Sequence, residues 1–397
     1  MNGEGTARSD IRVRLFGRTD VGQIREHNED NFLVADLTRK SRSLMESDRE
    51  QRVAERGTVL GVCDGMGGAA AGEVASQLAV DIIYEKLTQG DAPLNHDDLA
   101  RRLVNAVEEA GGRIFGEARA DRTRRGMGTT ATIAALLDGR LFVAQVGDSR
   151  AYVLRGDKLV QVSRDQSLVN QLIEAGQLTE EEAETFEHNN IILQALGTAE
   201  TVQVDLTFVD LRRGDTLLVC SDGLSGMVRA DEMREVLLTH REPFDACKEL
   251  VDRANRAGGH DNITVIVAVF EGDLADPAPG DVLAYQKYAL PEVPAEATVR
   301  APSVHAELYT PPPSPEAQRE SRRLRVGHTM VGMTNPLAST PTSGTPTPPR
   351  ASNPPASSSL EDDPVSIPTT GLSPSLVGMM VLGAMLLVAI AGFLLLR

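Results

Sequence analysis

Apolar residues in the first 270 positions form two kinds of pattern. Short runs rich in β-branched residues predict strands at 31–36, 58–63, 130–137, 141–146, 216–220 and 263–270. Segments in which apolar residues recur every three or four positions predict helices at 70–87, 99–120, 167–175, 231–240 and 244–257. Because the strands come in clusters with helices in pairs between them, we predict an α+β layered domain rather than a doubly wound sheet.

Proline marks a change in the chain after residue 272. Of the 21 prolines, 19 follow this position, and residues 273–375 lack the periodic apolar positions that a folded segment needs. We therefore predict a folded domain at 1–272 and a disordered Pro/Ser/Thr-rich linker at 273–375. Residues 376–396 contain no charged side chain, and as a helix they span about 31 Å, which predicts a C-terminal transmembrane helix.

Charge and cysteine content narrow the class of protein. With 40 Lys and Arg against 57 Asp and Glu, the net charge of -17 argues against nucleic acid as a partner. The three cysteines form no CxxC pair, so neither a disulfide framework nor a zinc site is indicated. The N-terminus has no apolar run of signal-peptide length. We expect a membrane protein with a single C-terminal anchor and a cytoplasmic, monomeric catalytic domain.

The candidate chemistry lies at the predicted strand ends. Asp64, Asp148, Asp222 and Asp261 each stand beside Gly, Ser or Asn at such an end. Singly, each is typical of a turn or a helix cap. Together, four carboxylates at neighbouring strand ends would repel one another unless hard cations neutralised them, and oxygen ligands favour Mg²⁺ or Mn²⁺. A two-metal site is the hypothesis that follows, with Gly65 allowing the sharp turn after Asp64.

An upstream polar segment adds groups that a phosphate site needs. Arg25 offers a two-point positive contact for a phosphoryl group, and Glu29 and Asp30 add oxygen ligands. Taken alone, this segment is equally typical of a polar surface loop that contains an arginine.

Six motifs in fixed order connect these residues to a known family. Between about residues 10 and 271 the chain resembles the bacterial form of the metal-dependent type 2C (PPM) protein serine/threonine phosphatases. The resemblance implies a four-layer αββα sandwich with a central pair of mainly antiparallel sheets and a metal cleft at one end. The motifs are Arg25-Glu-His-Asn-Glu-Asp30, Asp64-Gly-Met-Gly-Gly68, Gly126-Met-Gly-Thr-Thr130, Gly147-Asp-Ser-Arg150, Ser221-Asp-Gly-Leu224 and Gly259-His-Asp-Asn262.

The same resemblance implies a role for each site residue. Asp64 would bridge two cations, Asp222 and Asp261 would complete one, and Glu29 with the Gly65 carbonyl would serve the other. Asp30 would ligate or support this pair, and Asp148 with Asp222 would hold a third, looser ion. A hydroxide bridging the two metals would attack phosphorus in line, with Arg25 holding the phosphoryl group.

Two departures from the family pattern limit this transfer. Met66 stands where eukaryotic members have a histidine that is a candidate general acid, and we expect a water to replace it. Gln166 stands where the family usually has histidine, at the start of the segment 165–195 that resembles the family's mobile flap. Of the properties of the family, substrate specificity is therefore the one that can least be inferred for this chain.

The function expected from these motifs is hydrolysis of phosphoserine and phosphothreonine on proteins, in opposition to a serine/threonine kinase. Two alternatives stay open at this point. One is a catalytically weak pseudophosphatase acting as a membrane-tethered signalling scaffold, which the presence of all the motif carboxylates disfavours. The other is a metal-dependent phosphodiesterase of an unrelated family, which the order of the six motifs disfavours.

Overall fold

Two antiparallel sheets face each other at the centre of the molecule. The computed structural model describes residues 10–291 apart from 43, 45–48, 68–70, 184–185, 187–189 and 279. The first sheet contains β1 (Ile11–Asp20), β3 (Glu50–Arg52), β9 (Arg150–Arg155), β10 (Lys158–Gln161), β12 (Thr216–Cys220) and β13 (Ile263–Gly272). The second contains β2 (Asn31–Asp36), β4 (Thr58–Cys63), β7 (Ala131–Leu137), β8 (Arg140–Val146) and β11 (Asp205–Asp210). The strands follow the order β10-β9-β12-β13-β1-β3 across the first sheet and β11-β8-β7-β4-β2 across the second.

Helices cover the outer face of each sheet. The pair α1 (Ala71–Thr88) and α2 (His96–Ala120) packs on the five-stranded sheet, and the pair α6 (Ala230–Thr239) and α7 (Pro243–Arg256) packs on the six-stranded sheet. This arrangement confirms the predicted α+β, four-layer αββα sandwich. Shorter elements are α3 (Leu168–Glu174), α4 (Glu180–Ala183), α5 (Asp222–Ser225), a 3₁₀ turn at Arg122–Arg124 and a small ribbon of β5 (Gly65–Met66) with β6 (Gly128–Thr129).

Strand β4 shows how the layers are built from the sequence. Its side chains alternate between the two faces of the sheet. Val59 and Cys63 join the core under the helices, whereas Leu60 and Val62 join the core between the sheets. All four are fully or almost fully buried. Helices cover one face of this sheet and the second sheet packs on the other, so its strands must be apolar on both faces.

The long first strand was absent from the sequence prediction. In β1, Ile11, Val13 and Leu15 are buried, and arginines alternate with the first two of them. The strand pairs with β13 over its whole length. This strict alternation is the pattern of a half-buried strand, and it was available in the sequence. Strands β9, β10 and β11 were also missing from the prediction, whereas 31–36, 58–63 and 216–220 match their observed bounds.

Residues 280–291, which we call the strap, lie within the stretch where a disordered linker was expected. Its backbone pairs with edge strand β11, as Phe208 N–H donates to Gln286 O at 3.0 Å and Tyr288 N–H donates to Leu206 O at 2.7 Å. The Tyr288 ring packs edge-on against Phe142 and Phe208. The ordered domain therefore continues past residue 272, because aromatic side chains anchor the strap to the sheet.

The expectations for the rest of the linker and for the membrane helix at 376–396 concern residues outside those described. Within the described residues, we find no helix whose length and apolar character suffice for a bilayer crossing.

Candidate active site

The loops at one end of the two sheets bring the predicted site residues together. Antiparallel pairing places the end of one strand beside the start of its neighbour, so residues after β4, β8 and β12 lie at the same end of the sheets as residues before β2 and β13. A cleft of about 370 Å³ opens at this end. Its walls include Arg25, Glu29, Asp64, Gly65, Asp222 and Asp261. Asp30 and Asp148 are buried, 4% and 9% exposed, and their charges act on the carboxyls in the cleft.

Asp64 is held by the strand that runs beside it. Its N–H donates to Thr130 Oγ1 at 2.9 Å, and its carbonyl accepts from Thr130 N–H and Thr129 Oγ1, both at 2.8 Å. These contacts use the backbone polar groups of Asp64 and leave its carboxylate for the cleft. The Gly126–Thr130 motif therefore fixes the residue that was predicted to bridge two ions.

Asp30 is fixed through one of its two carboxylate oxygens. Ser221 Oγ and Thr264 Oγ1 donate to Asp30 Oδ2 at 2.8 and 2.7 Å. Ser221 Oγ also accepts from Thr264 N–H at 3.0 Å, so the three side chains form one buried cluster. Asp30 Oδ1 is buried without a hydrogen-bond partner.

Glu29 and Gly65 are joined by close backbone contacts. Gly65 N–H donates to Glu29 O at 3.2 Å. A Cβ on Gly65 would lie only 2.5 Å from Glu29 O and 2.3 Å from Gly72 O, so only glycine fits here. The Glu29 carboxylate lies against Gly72 in the first turn of α1, where a Cβ would approach Oε1 to 2.8 Å. The predicted pairing of the Glu29 side chain with the Gly65 carbonyl is thus compatible with their positions.

Asn262 organises the Arg25 segment, and its role was missed at the sequence level. Its Oδ1 accepts from Glu29 N–H at 2.8 Å, and its Nδ2 donates to Val21 O and His27 O at 3.0 and 2.9 Å. A single side chain therefore holds both ends of the turn that carries Arg25. Its position directly after Asp261 in the last motif was the available signal.

Arg25 pairs with one of the carboxylates in the cleft. Its Nη2 donates to Asp261 Oδ2 at 2.7 Å, and the Arg25 side chain is 49% exposed. An exposed guanidinium of this kind keeps donors free for a second anion. Arg25 is thus placed where a phosphoryl group entering the cleft would meet it.

Burial raises the pKa of the central carboxyls. It raises the pKa of Asp30 to about 7, against the opposing effect of hydrogen bonds from Thr264 and Ser221. It raises the pKa of Asp148 to about 7, and the charge of Asp222 adds to this rise. The pKa values of Asp64 and Asp222 also rise, first through burial and then through neighbouring carboxylates. A cluster of this kind carries its full negative charge at neutral pH only if cations are close.

The residues fit a site for hard divalent cations. The donors are all oxygens, and one oxygen each of Asp30, Asp148 and Asp222 is buried without a hydrogen-bond partner. Among the described residues, no three His, Cys, Asp or Glu side chains already stand in an arrangement that would hold an ion. Besides burial, the charge of Asp222 helps to raise the pKa of Asp64, and Asp261 is engaged by Arg25. A cation in the cleft would offset the effect of that charge and would have to displace the guanidinium from Asp261.

Comparison with known proteins identifies the family of this chain. The family model "Protein phosphatase 2C" matches residues 39–263. The serine/threonine phosphatase stp of Listeria innocua is 37% identical over 250 residues, which cover 63% of this chain and 93% of the relative. The solved PstP/Ppp phosphatase of Mycobacterium tuberculosis has 35% identity and a TM-score of 0.56, and the match covers 66% of this chain and 99% of that structure.

A further solved structure holds metal ions. It is the catalytic domain of the phosphatase PstP in complex with two manganese ions, with 33% identity, a TM-score of 0.55 and coverage of 66% of this chain and 99% of that structure. The family model spans more than half of the chain, and the site loops carry all six motifs in order. The chain therefore belongs to the protein phosphatase 2C family and is a protein serine/threonine phosphatase.

Proposed function

We propose that this phosphatase releases phosphate from phosphoserine and phosphothreonine on proteins by using two Mn²⁺ or Mg²⁺ ions held in the cleft. The observation that carries the proposal is the buried, oxygen-only cluster of carboxylates beside the Arg25 guanidinium. The two manganese ions in the related PstP structure support the number and kind of ion.

Each site residue has a proposed part in holding the ions. Asp64, Asp222 and Asp261 would hold the ions on one side of the cleft, and Glu29 with the Gly65 carbonyl would hold them on the other, with Asp64 shared between the two. When bound, the ions supply Lewis-acid activation of water and neutralise charge on the phosphoryl oxygens. The hydrogen bonds of Thr130 to Asp64 and of Ser221 and Thr264 to Asp30 hold the carboxylates in place before an ion arrives. Asp148 with Asp222 would hold a third, weaker ion.

Arg25 orients the substrate in this proposal. Its guanidinium is paired with Asp261, and an ion on Asp261 would take over the neutralisation of that carboxylate. Two guanidinium nitrogens of Arg25 then donate to two oxygens of the phosphoryl group and stabilise the charge that develops there. Met66 lines the cleft and has no proton to donate, so the leaving alkoxide takes its proton from water.

A catalytically weak scaffold remains the alternative. A scaffold would not require every ligand position to be present around one cleft, so the complete set of carboxylates favours the active enzyme. The two are separated by activity alone.

The decisive experiment measures phosphate release from a phosphothreonine peptide with Mn²⁺, Mg²⁺ or excess chelator. We expect release only with a metal ion, and a loss of several orders of magnitude in Asp64→Asn and Asp222→Asn at unchanged fold by circular dichroism. A phosphodiester such as bis-p-nitrophenyl phosphate should stay intact. Wild-type rates in chelator, or in either variant, contradict the two-ion proposal.

We further propose that residues 376–396 anchor the enzyme in a membrane with the domain on the cytoplasmic side, where it opposes a serine/threonine kinase. The support for the anchor is the uncharged length of that segment, and the three free cysteines of the domain fit the cytoplasmic side. Protease added to intact cells should leave the domain intact, and digestion of the domain would reverse the orientation.

A further inference from the structure

A glutamine at the start of the segment 165–195 holds the loop that carries Asp148. Gly147 N–H donates to Gln166 Oε1 at 3.0 Å, and Gln166 N–H donates to Gly147 O at 2.8 Å. Both backbone polar groups of the residue before Asp148 are therefore bound to Gln166. Gly147 has a φ of +98°, and a Cβ there would lie 2.7 Å from Thr130 Cγ2, so the loop has little room to adjust.

The same glutamine is bound to the far end of that segment. Gln194 Nε2 donates to Gln166 Oε1 at 2.9 Å and to Gln203 O at 2.7 Å, and Gln203 N–H donates back to Gln194 Oε1 at 2.7 Å. Leu193 N–H donates to Gln166 O at 2.8 Å. The oxygen Gln166 Oε1 thus accepts one hydrogen bond from the Asp148 loop and one from Gln194. We call Gln166 and Gln194 the glutamine clasp.

The other side of the Asp148 loop is fixed by a buried network. Ser149 O accepts from Gln145 Nε2 at 2.7 Å and from Thr132 Oγ1 at 2.9 Å. Ser149 Oγ is 2.8 Å from Thr130 Oγ1, the same oxygen that accepts from Asp64 N–H. Asp148 therefore lies between two sets of contacts. On one side is this fully buried network, which continues to Asp64. On the other side is the glutamine clasp, which borders a second cavity of about 290 Å³.

We propose that Gln166 is a positioning residue for the phosphatase reaction. Through Gly147 it sets the position of the Asp148 carboxylate, and through Gln194 it joins that carboxylate to residues 190–194. Asn190 and Ile192 of that stretch line the active cleft. The inference rests on the proposed function, because the role of Asp148 as a ligand of a third, weaker ion belongs to it.

The expected size of the effect follows from the kind of contact. Partners that orient a metal ligand typically change metal affinity by about 10- to 100-fold when they are removed. Gln166 acts through the neighbouring backbone and not through the carboxylate itself. We therefore expect the low end of that range, about tenfold, confined to the weakest ion. The ions on Asp64 should be unaffected, because Thr130 and not Gln166 holds that residue.

Three variants of the full chain separate this role from general packing. Gln166→Met keeps the length of the side chain and removes the acceptor. Gln166→Glu keeps an oxygen acceptor for Gly147 and Gln194 and loses the longer Nε2 contacts to Gln145 O and Gln203 O at 3.4 and 3.3 Å. Gln171→Met makes the same chemical change at an exposed residue that lines the same cavity, and serves as the matched control. Asp148→Asn reports the loss of the proposed ligand itself.

The measurement is a Mn²⁺ titration followed by electron paramagnetic resonance, which counts free and bound ions without turnover. We expect the weakest ion to bind about tenfold more weakly in Gln166→Met, within about threefold of wild type in Gln166→Glu, and unchanged in Gln171→Met. The kcat of Gln166→Met at limiting Mn²⁺ should fall and should return with excess Mn²⁺. If Gln166→Met folds poorly, Gln194→Met tests the clasp from its other side and should weaken the same ion by a smaller factor.

A titration of Gln166→Met that matches wild type overturns the inference. So does equal weakening of every ion, since it indicates a general structural role. An unchanged titration in Asp148→Asn removes the premise that Asp148 is a ligand. In all these cases, Mn²⁺-dependent release of phosphate by the wild type leaves the proposed function standing. Its absence would remove that function separately.

Discussion

Replacing Asp148 by asparagine should stabilise the metal-free enzyme at neutral pH. Burial raises the pKa of Asp148 from an ordinary value of 3.8 to about 7. The folded state therefore binds this proton more tightly than the unfolded state does, and stability is lost as the pH rises from about 4 through 7. At about 1.4 kcal/mol for each pKa unit, the ionised carboxylate costs the folded protein up to about 4 kcal/mol above pH 7.

Asparagine removes the charge but keeps polar atoms that are buried, so part of this cost remains. We expect Asp148→Asn to be about 2 kcal/mol more stable than wild type at pH 8 in chelator, or roughly 4 to 8 °C in Tm. At pH 4 the difference should nearly disappear, because the folded wild type is then protonated at Asp148 and the unfolded chain is only partly ionised there. Excess Mn²⁺ should shrink the gain at pH 8, because the wild type then has cations close to its carboxylate.

Urea unfolding at pH 4, 6 and 8, with and without chelator, measures this dependence. The exposed Asp157→Asn, in the turn between β9 and β10, is the matched control, and its stability should follow wild type at every pH. Destabilisation of Asp148→Asn in chelator at pH 8, or a gain independent of pH between 4 and 8, refutes the reasoning from burial.

Three further changes have definite expected outcomes. Arg25→Ala should lower kcat/KM on a phosphopeptide, because a charge-assisted contact is lost and transition-state stabilisation falls by about 1.5 to 3 kcal/mol. An unchanged kcat/KM would remove Arg25 from the site. Thr130→Val keeps the side-chain shape but removes the hydrogen-bond partner of both Asp64 N–H and Ser149 Oγ. Urea unfolding should show a loss of about 1 to 3 kcal/mol, and kcat should fall with it; equal stability would mean that both hydrogen bonds are dispensable. Deletion of residues 374–397 should move the enzyme from the membrane fraction to the soluble fraction at an unchanged rate on a soluble phosphopeptide; a membrane-bound product would place the anchor elsewhere.

The parts of the fold that the sequence predicted are those where one physical signal dominates. Strand 58–63 is apolar on both faces because it is covered on both, and helix α7 has its apolar residues on one side, so both patterns were clear. Helix α2 begins at His96, earlier than predicted, because the Asn95 side chain caps it by accepting from Asp98 N–H at 2.9 Å. Such a cap extends a helix beyond its apolar stripe.

The site shows a similar division. The carboxylates were identified because each stands at a strand end beside a small residue. The side chains that orient them, Ser221, Thr264 and Asn262, come from distant positions, and no spacing rule links Thr264 to Asp30. Their roles depend on which strand ends meet, and β1, the long partner of β13, was missing from the predicted set. Without the pairing of β1 with β13, the side-chain contacts of Asp30 could not be predicted from the sequence.

The strap gives the five-stranded sheet a closed border. Strand β11 is the last strand of that sheet, and an uncovered edge of this kind presents free N–H and C=O groups to any other extended chain. The hydrogen bonds of Phe208 and Leu206 to the strap occupy part of that edge, and Arg101 Nη2 on α2 donates to Pro291 O at 2.7 Å near its end. A protein cut at residue 272 would keep its catalytic loops but lose this cover. It would be prone to edge-to-edge association, so a soluble catalytic fragment should extend to residue 291 or beyond.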